Sequence, residues 1–186
     1  MLLVYAALLI LATVPLAGGR LGALADVPLR GAALVALALG TQVLIVSVIP
    51  GAGQGSFRMV HVATYAALAG FVWLNRRLPG VRLVALGALA NAAAIVANGG
   101  VMPAAPGALA AAGLAADKPG EFANSAAVHA PALGFLGDVF AVPAAWGPAA
   151  NVFSIGDLVI AAGLAVALHR LGGSRLAALG RRARPI

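Results

Sequence analysis

The 186-residue chain contains no cysteine, and only 9% of its residues are charged. The absence of cysteine excludes disulfide bonds, thiolate metal ligands and a cysteine nucleophile. Globular domains contain about 25% charged residues, so this chain has too few to cover an ordinary water-exposed surface. Apolar residues take their place, at 62% of the sequence with a mean hydropathy of +1.02. The composition predicts a membrane protein, because a bilayer accepts apolar surface on every side of a helix.

Five apolar segments approach the length of about 20 residues that a bilayer-spanning helix requires. Glycine and proline stand at their ends, where such residues stop helices. We predict an all-α integral membrane bundle of about five transmembrane helices, which forms a single membrane domain over residues 1–186. The first segment lacks the basic flank of a signal peptide, which favours a retained helix. The predicted helices cover residues 1–17, 31–49, 57–74, 83–98 and 155–171.

Ten of the twelve basic residues fall between the first two segments, between the third and fourth, or near the C-terminus. Because Lys and Arg are enriched in cytoplasmic loops, this distribution predicts an external N-terminus and a basic cytoplasmic tail at 172–186. Residues 99–154 then form a long external loop. The predicted location is the inner cell membrane, with several passes. The predicted partners are the lipid bilayer and other membrane subunits or further copies of the chain. Nucleic acid is not predicted, since the arginines are scattered between apolar runs.

Polar side chains within the apolar segments are the candidates for a binding site, because placing them in hydrocarbon costs free energy. Asn91 shares one helix face with Gly87, Ala94 and Asn98. Contact with a neighbouring helix, with Gln42 as the hydrogen-bond partner, is the favoured interpretation. Contact with a ligand is the alternative.

Two of the candidates also fit positions at helix ends. Asn98 precedes two glycines, as a residue at a helix C-terminus often does. Ser154-Ile-Gly-Asp157 matches the capping box, in which a serine and an acid three residues later bond each other's backbone N–H groups. Alternatively, Asn98 lines a pocket and Asp157 binds a proton or a cation.

Arg58, His61 and Tyr65 are spaced three and four residues apart and so form one stripe of the third segment. Arg58 is expected to pair with Asp157 or Asp138, because charges in a membrane usually find a partner. At the opposite end, His169 is expected to reach water. The candidate ligand-binding residues are therefore Gln42, Arg58, His61, Asn91, Asn98, Asp138 and Asp157.

No signature of catalysis is present. The chain lacks Gly-x-Ser-x-Gly, His-Glu-x-x-His and a phosphate-binding glycine loop followed by lysine. The three histidines lie in separate segments, which argues against a shared metal ion. We predict no catalytic residue, no metal and no cofactor, and we favour a non-enzymatic role.

Five short stretches, spread over nearly the whole chain, carry a resemblance to a known family. They are GRLGALAD at 19–26, LNRRLPG at 74–80, NGGVMP at 98–103, LGD at 136–138 and NVFSIGD at 151–157. In these stretches the chain resembles an uncharacterised family of small bacterial membrane proteins, domain of unknown function 5317. The resemblance implies a five-helix bundle or a similar fold, and it implies no activity.

Two functions stay open. The first is an accessory subunit or interaction protein of a membrane complex, suggested by helices rich in small residues and by the scarcity of reactive groups. The second is a binder or carrier of a small ligand, a lipid-like molecule or a proton, suggested by the polar residues expected toward one face. An enzyme that acts on a lipid-like substrate through His61 or Asp157 is a third and weaker option.

Overall fold

The structure, a computed structural model, describes residues 2–44, 54–115 and 125–179 and is mostly helical. Gly31 and Gly80 stand immediately before two of the longer helices with φ of 68° and 79°, a conformation that glycine adopts at little cost. The longer helices are α1 (Leu2–Leu16), α3 (Ala32–Val43), α4 (Gln54–Leu74), α5 (Val81–Ala97) and α7 (Ile155–Leu171). The short ones are α2 (Gly22–Ala25), α6 (Pro106–Ala112) and α8 (Arg175–Leu179). The longer helices fall close to the five predicted segments.

The prediction of an integral membrane bundle is wrong. Within the described ranges, no helix combines the length and the apolar character needed to cross a bilayer. A crossing takes about 20 residues, whereas α1, α5 and α7 contain 15, 17 and 17. The 21-residue α4 begins with the polar sequence Gln-Gly-Ser-Phe-Arg. Hydropathy alone therefore overestimated the capacity of these segments to cross a bilayer. The predicted external and cytoplasmic ends depended on those crossings and lose their basis.

The chain is also not all-α, because residues 99–154, predicted as a loop, contain short strands. Valine and phenylalanine, which favour extended backbone, are frequent in two of them. The strands are β1 (Met102–Pro103), β2 (Ser125–Ala126), β3 (Asp138–Val142) and β4 (Asn151–Ser154). β1 pairs with β2 in parallel, and β3 pairs with β4 antiparallel with an irregularity after Asp138. α6 packs against β3 and β4 around a small apolar core.

Glycine allows α5 and α7 to approach each other at the level of the backbone. A Cβ atom added at Gly80 would overlap the carbonyl oxygen of Gly163, and one added at Gly87 would overlap that of Gly156. Small residues at a helix contact permit such an approach. We call these four residues the glycine seam. The seam fixes how the first turn of α7 faces the middle of α5, where the polar side chains of both helices meet.

Candidate functional site

The first turn of α7 is closed by its own side chains. The hydroxyl Oγ of Ser154 accepts a hydrogen bond from the Asp157 backbone N–H at 3.0 Å, and Asp157 Oδ2 accepts one from the Ser154 N–H at 3.0 Å. This is the capping box that the sequence predicts. The carboxylate lies at the positive end of the helix dipole, which favours negative charge there.

Asn91 of α5 joins this capping box to the neighbouring helix. Its side-chain N–H donates to Asp157 Oδ1 at 2.9 Å, and its carbonyl oxygen accepts from the Ser154 hydroxyl at 2.8 Å. Ser154 is fully buried and Asn91 is 6% exposed. The prediction that Asn91 faces a neighbouring helix is confirmed, and the side chains it bonds are Asp157, in the first turn of α7, and Ser154, the residue immediately before α7.

A second carboxyl group, that of Asp138, lies beside the capping box. Asp138 begins β3 opposite Ser154 of β4, and only 4% of it is exposed. Burial and, to a smaller extent, the negative charge of Asp157 raise the pKa of Asp138, which lies at about 6 instead of the ordinary 3.8. A hydrogen bond from the Ser125 side chain and the charge of the amino terminus act in the opposite direction. A carboxyl group with this pKa exists in both protonation states within the pH range of a cell.

Tyr65 of α4 completes what we call the carboxylate cluster, which consists of Tyr65, Asn91, Asp138, Ser154 and Asp157. Burial raises the pKa of the Tyr65 hydroxyl above its ordinary value, and the charges of Asp157 and Asp138 act in the same direction. The phenol is therefore neutral at physiological pH. The cluster can take up and release a proton at Asp138 while neighbouring polar groups surround it.

The other predicted site residues do not all join the cluster. Asn98 ends α5, as predicted, and its amide exchanges two hydrogen bonds with the backbone of Ala132, at 2.8 and 3.0 Å. It holds the segment before β3 in place. Gln42, Arg58 and His61 lie on α3 and α4, but their side chains fall outside the described residues. The predicted pairing of Arg58 with an acid and the pairing of Gln42 with Asn91 therefore stay predictions.

The expectation that His169 reaches water is wrong. His169 is 8% exposed. Its Nε2 lies 3.1 Å from Thr13 Oγ1, and its Nδ1 lies 2.8 Å from Ser174 Oγ. The glycine pair that follows α7 turns the chain back over the ring, and α1 covers its other side. The Gly-Gly-Ser sequence at 172–174 was the signal for this turn.

Two further features bear on ligand binding. Among the described residues, no group of three His, Asp or Glu side chains converges so as to hold a metal ion. A groove of about 200 Å³ lies between α3 and α4, and no member of the carboxylate cluster lines it. It is lined by Leu37, Ala38, Thr41, Val60, Ala63, Thr64 and Ala67. Its lining is mostly apolar, unlike the polar pocket that the sequence predicts.

A family model described as Family of unknown function (DUF5317) matches residues 26–169. The chain belongs to DUF5317. The resemblance to this family is thereby confirmed, and the matched region includes four of the five short stretches and every member of the carboxylate cluster. No curated protein and no solved structure matches the chain. Since DUF5317 has no assigned function, membership supplies no activity, and the function must be argued from the residues.

The contact of Asn91 with Asp157 in this DUF5317 protein is open to a direct test. In a double-mutant cycle of Asn91→Ala and Asp157→Ala, we expect the free energies of unfolding to be non-additive by about 1 kcal/mol or more. Each single change leaves a buried polar group without its partner, which costs about 1–3 kcal/mol. Denaturant titration measures each variant.

Asn98→Ala is the matched control, because Asn98 is on the same helix but bonds Ala132 and Ala94. Its cycle with Asp157→Ala should be additive. Additive losses for Asn91 as well would mean that the two side chains do not interact in solution.

Proposed function

We propose that this DUF5317 chain is a non-catalytic interaction protein, an accessory subunit that binds a partner protein through an apolar face. The observation that carries the proposal is the distribution of large apolar side chains. Among the described residues, only six large apolar side chains are buried, whereas 27 large apolar side chains, aromatic ones included, are exposed. Soluble monomers rarely expose large apolar patches, and a patch of this kind marks an interaction site.

The exposed face of α5 is the best-defined part of this surface. Leu86, Leu89 and Val96 are 59%, 65% and 60% exposed. They follow one another, with Ala93, at steps of three, four and three, so they form one straight stripe. We call these four residues the α5 stripe. It lies opposite the face that packs on α7, and in water that position is normally polar. The stripe therefore offers a partner helix a ridge of apolar side chains to pack against.

The polar residues support a binding role over a catalytic one. The side chains of Asn91, Ser154 and Asp157 form hydrogen bonds with one another. The side chain of Asn98 forms its hydrogen bond with the neighbouring loop. These bonds hold helices and loop together without a substrate. Groups that are already paired in this way are typical of structural contacts between helices.

Replacement of two stripe residues tests the proposal. The chain is isolated in a mild detergent from the cells that produce it naturally, and the mass of the complex is measured by light scattering. We expect an assembly larger than one chain. Leu86→Asn together with Leu89→Asn should lower the association constant of the assembly by about 100-fold or more, because each leucine buried on binding contributes about 1.5–3 kcal/mol.

Leu37→Asn is the matched control, since Leu37 is 66% exposed on α3. This variant should keep the assembly. A monomer for the unaltered chain would overturn the proposal. An assembly that survives the two stripe changes would overturn the assignment of the α5 stripe.

Proton binding is a second candidate function, favoured by one observation. Asp138 is buried beside a second carboxyl group, and its pKa lies at about 6. Groups with strongly perturbed pKa values are often found at functional sites.

A further inference from the structure

The arginines that are scattered along the sequence come together at one end of the fold. α1 and α7 end there, as does α4, while α3 and α5 begin there. The backbone N–H of Arg20 donates to the Gly172 carbonyl at 2.8 Å, and that of Arg175 donates to Ala17 at 2.9 Å. The Asn75 side chain, next to Arg76, exchanges two hydrogen bonds with the Arg30 backbone. We call this set the arginine face: Arg20, Arg30, Arg76, Arg77, Arg82, Arg170 and Arg175.

Every arginine of this face is exposed. Asp26 is the one acidic residue that the described ranges place at this end, and it cannot balance seven positive charges. The other two described acids, Asp138 and Asp157, lie at the opposite end, since Asp157 begins α7 and Arg170 ends it. The fold therefore separates charge along its helices, and the arginine face attracts a partner with many negative charges.

Large apolar side chains stand between the arginines. Trp73 is 66% exposed, Leu29 is 50% exposed and Leu176 is 52% exposed. The Arg76 guanidinium lies over the Trp73 ring, 4.4 Å from its centroid. Tryptophan and arginine together suit the boundary between headgroups and acyl chains, where one part of the side chain is apolar and the other is wet.

We propose that the arginine face binds the headgroups of anionic phospholipids at a membrane surface. Guanidinium groups bind phosphate through two parallel hydrogen bonds, and the leucines and Trp73 enter the apolar boundary beneath the headgroups. Nucleic acid and acidic proteins also offer negative charge, but a duplex gives exposed leucines nothing to pack against. The contact is made at the surface and needs no helix that crosses the bilayer. It is independent of the α5 stripe and of its partner.

Vesicle flotation tests this proposal with the full chain. Vesicles of phosphatidylcholine alone are compared with vesicles that also contain phosphatidylglycerol, at low and at high salt. We expect clearly tighter binding to the phosphatidylglycerol vesicles, and we expect salt to weaken it. Arg77→Gln, Arg82→Gln and Arg170→Gln in one chain should reduce that binding by about 100-fold, because each arginine near the surface contributes roughly fivefold.

The same three positions changed to lysine provide the matched control, because lysine keeps the charge. This variant should bind within several-fold of the unaltered chain, and circular dichroism should show the same helix content in all three proteins. Equal binding to both vesicles, or full binding by the glutamine variant, would overturn the proposal. A duplex DNA fragment that binds more tightly than the vesicles, with the same dependence on the arginines, would assign the face to nucleic acid instead and overturn it too.

Discussion

Replacement of Gly156 by alanine is expected to lower the free energy of unfolding by about 3 kcal/mol. The new methyl group would overlap the carbonyl oxygen of the Asn91 side chain and lie within 2.8 Å of the Gly87 carbonyl oxygen. Overpacking of this kind costs about 1–3 kcal/mol. Displacement of Asn91 adds the loss of its hydrogen bonds to Ser154 and Asp157. Denaturant titration at neutral pH measures the change.

Gly40→Ala is the matched control. Gly40 is exposed within α3, and a Cβ atom there would meet no heavy atom within 4 Å. Alanine favours the helix over glycine by up to about 1 kcal/mol, so this variant should be as stable as the unaltered chain or slightly more stable. Equal stability of both variants would contradict the close contact of Gly156 with Asn91 and Gly87.

The positions of the longer helices were predictable from the sequence, and most of their ends lie within a few residues of the predicted ends. Apolar runs bounded by glycine and proline gave them directly. Whether those helices cross a bilayer was not predictable in the same way. Composition measures how apolar a segment is, but it does not give the number of residues in the helix that the segment forms. The predicted segments 83–98 and 155–171 correspond to α5 (Val81–Ala97) and α7 (Ile155–Leu171), which contain 17 residues each, fewer than the about 20 of a typical crossing. The short strands between residues 99 and 154 were missed, since strands of two to five residues carry almost no periodicity.

The carboxylate cluster was predictable only in part. The capping box is a local motif, so Ser154 and Asp157 could be paired by spacing alone. Asn91 was correctly placed on a packed face of α5. Its partner could not be chosen, because that depends on which helix lies against the face, and the glycines of both helices decided this in favour of α7. The burial of Asp138 depends on the pairing of β3 with β4, which the sequence did not indicate.

Asp138 is expected to make stability depend on pH. Its carboxyl group binds a proton more tightly in the folded chain, where burial raises its pKa to about 6, than in the unfolded chain, where it is 3.8. The stability that comes from this proton is fully present below pH 3.8 and is lost as the pH rises to about 6. The loss is about 3 kcal/mol, because one pKa unit corresponds to about 1.4 kcal/mol. Above pH 6 this contribution should stay constant.

Asp138→Asn isolates this effect from the other titrating groups, because asparagine has nearly the shape of the protonated acid and cannot ionise. The free energy of unfolding of both proteins is measured from pH 3.5 to 7.5, a range chosen to bracket the two pKa values. We expect the variant to lack the decline between pH 4 and 6, and to exceed the unaltered chain by up to about 3 kcal/mol at pH 7. Parallel profiles for Asp138→Asn and the unaltered chain would mean that Asp138 holds no proton near neutral pH, and the carboxylate cluster would then have no part in proton binding.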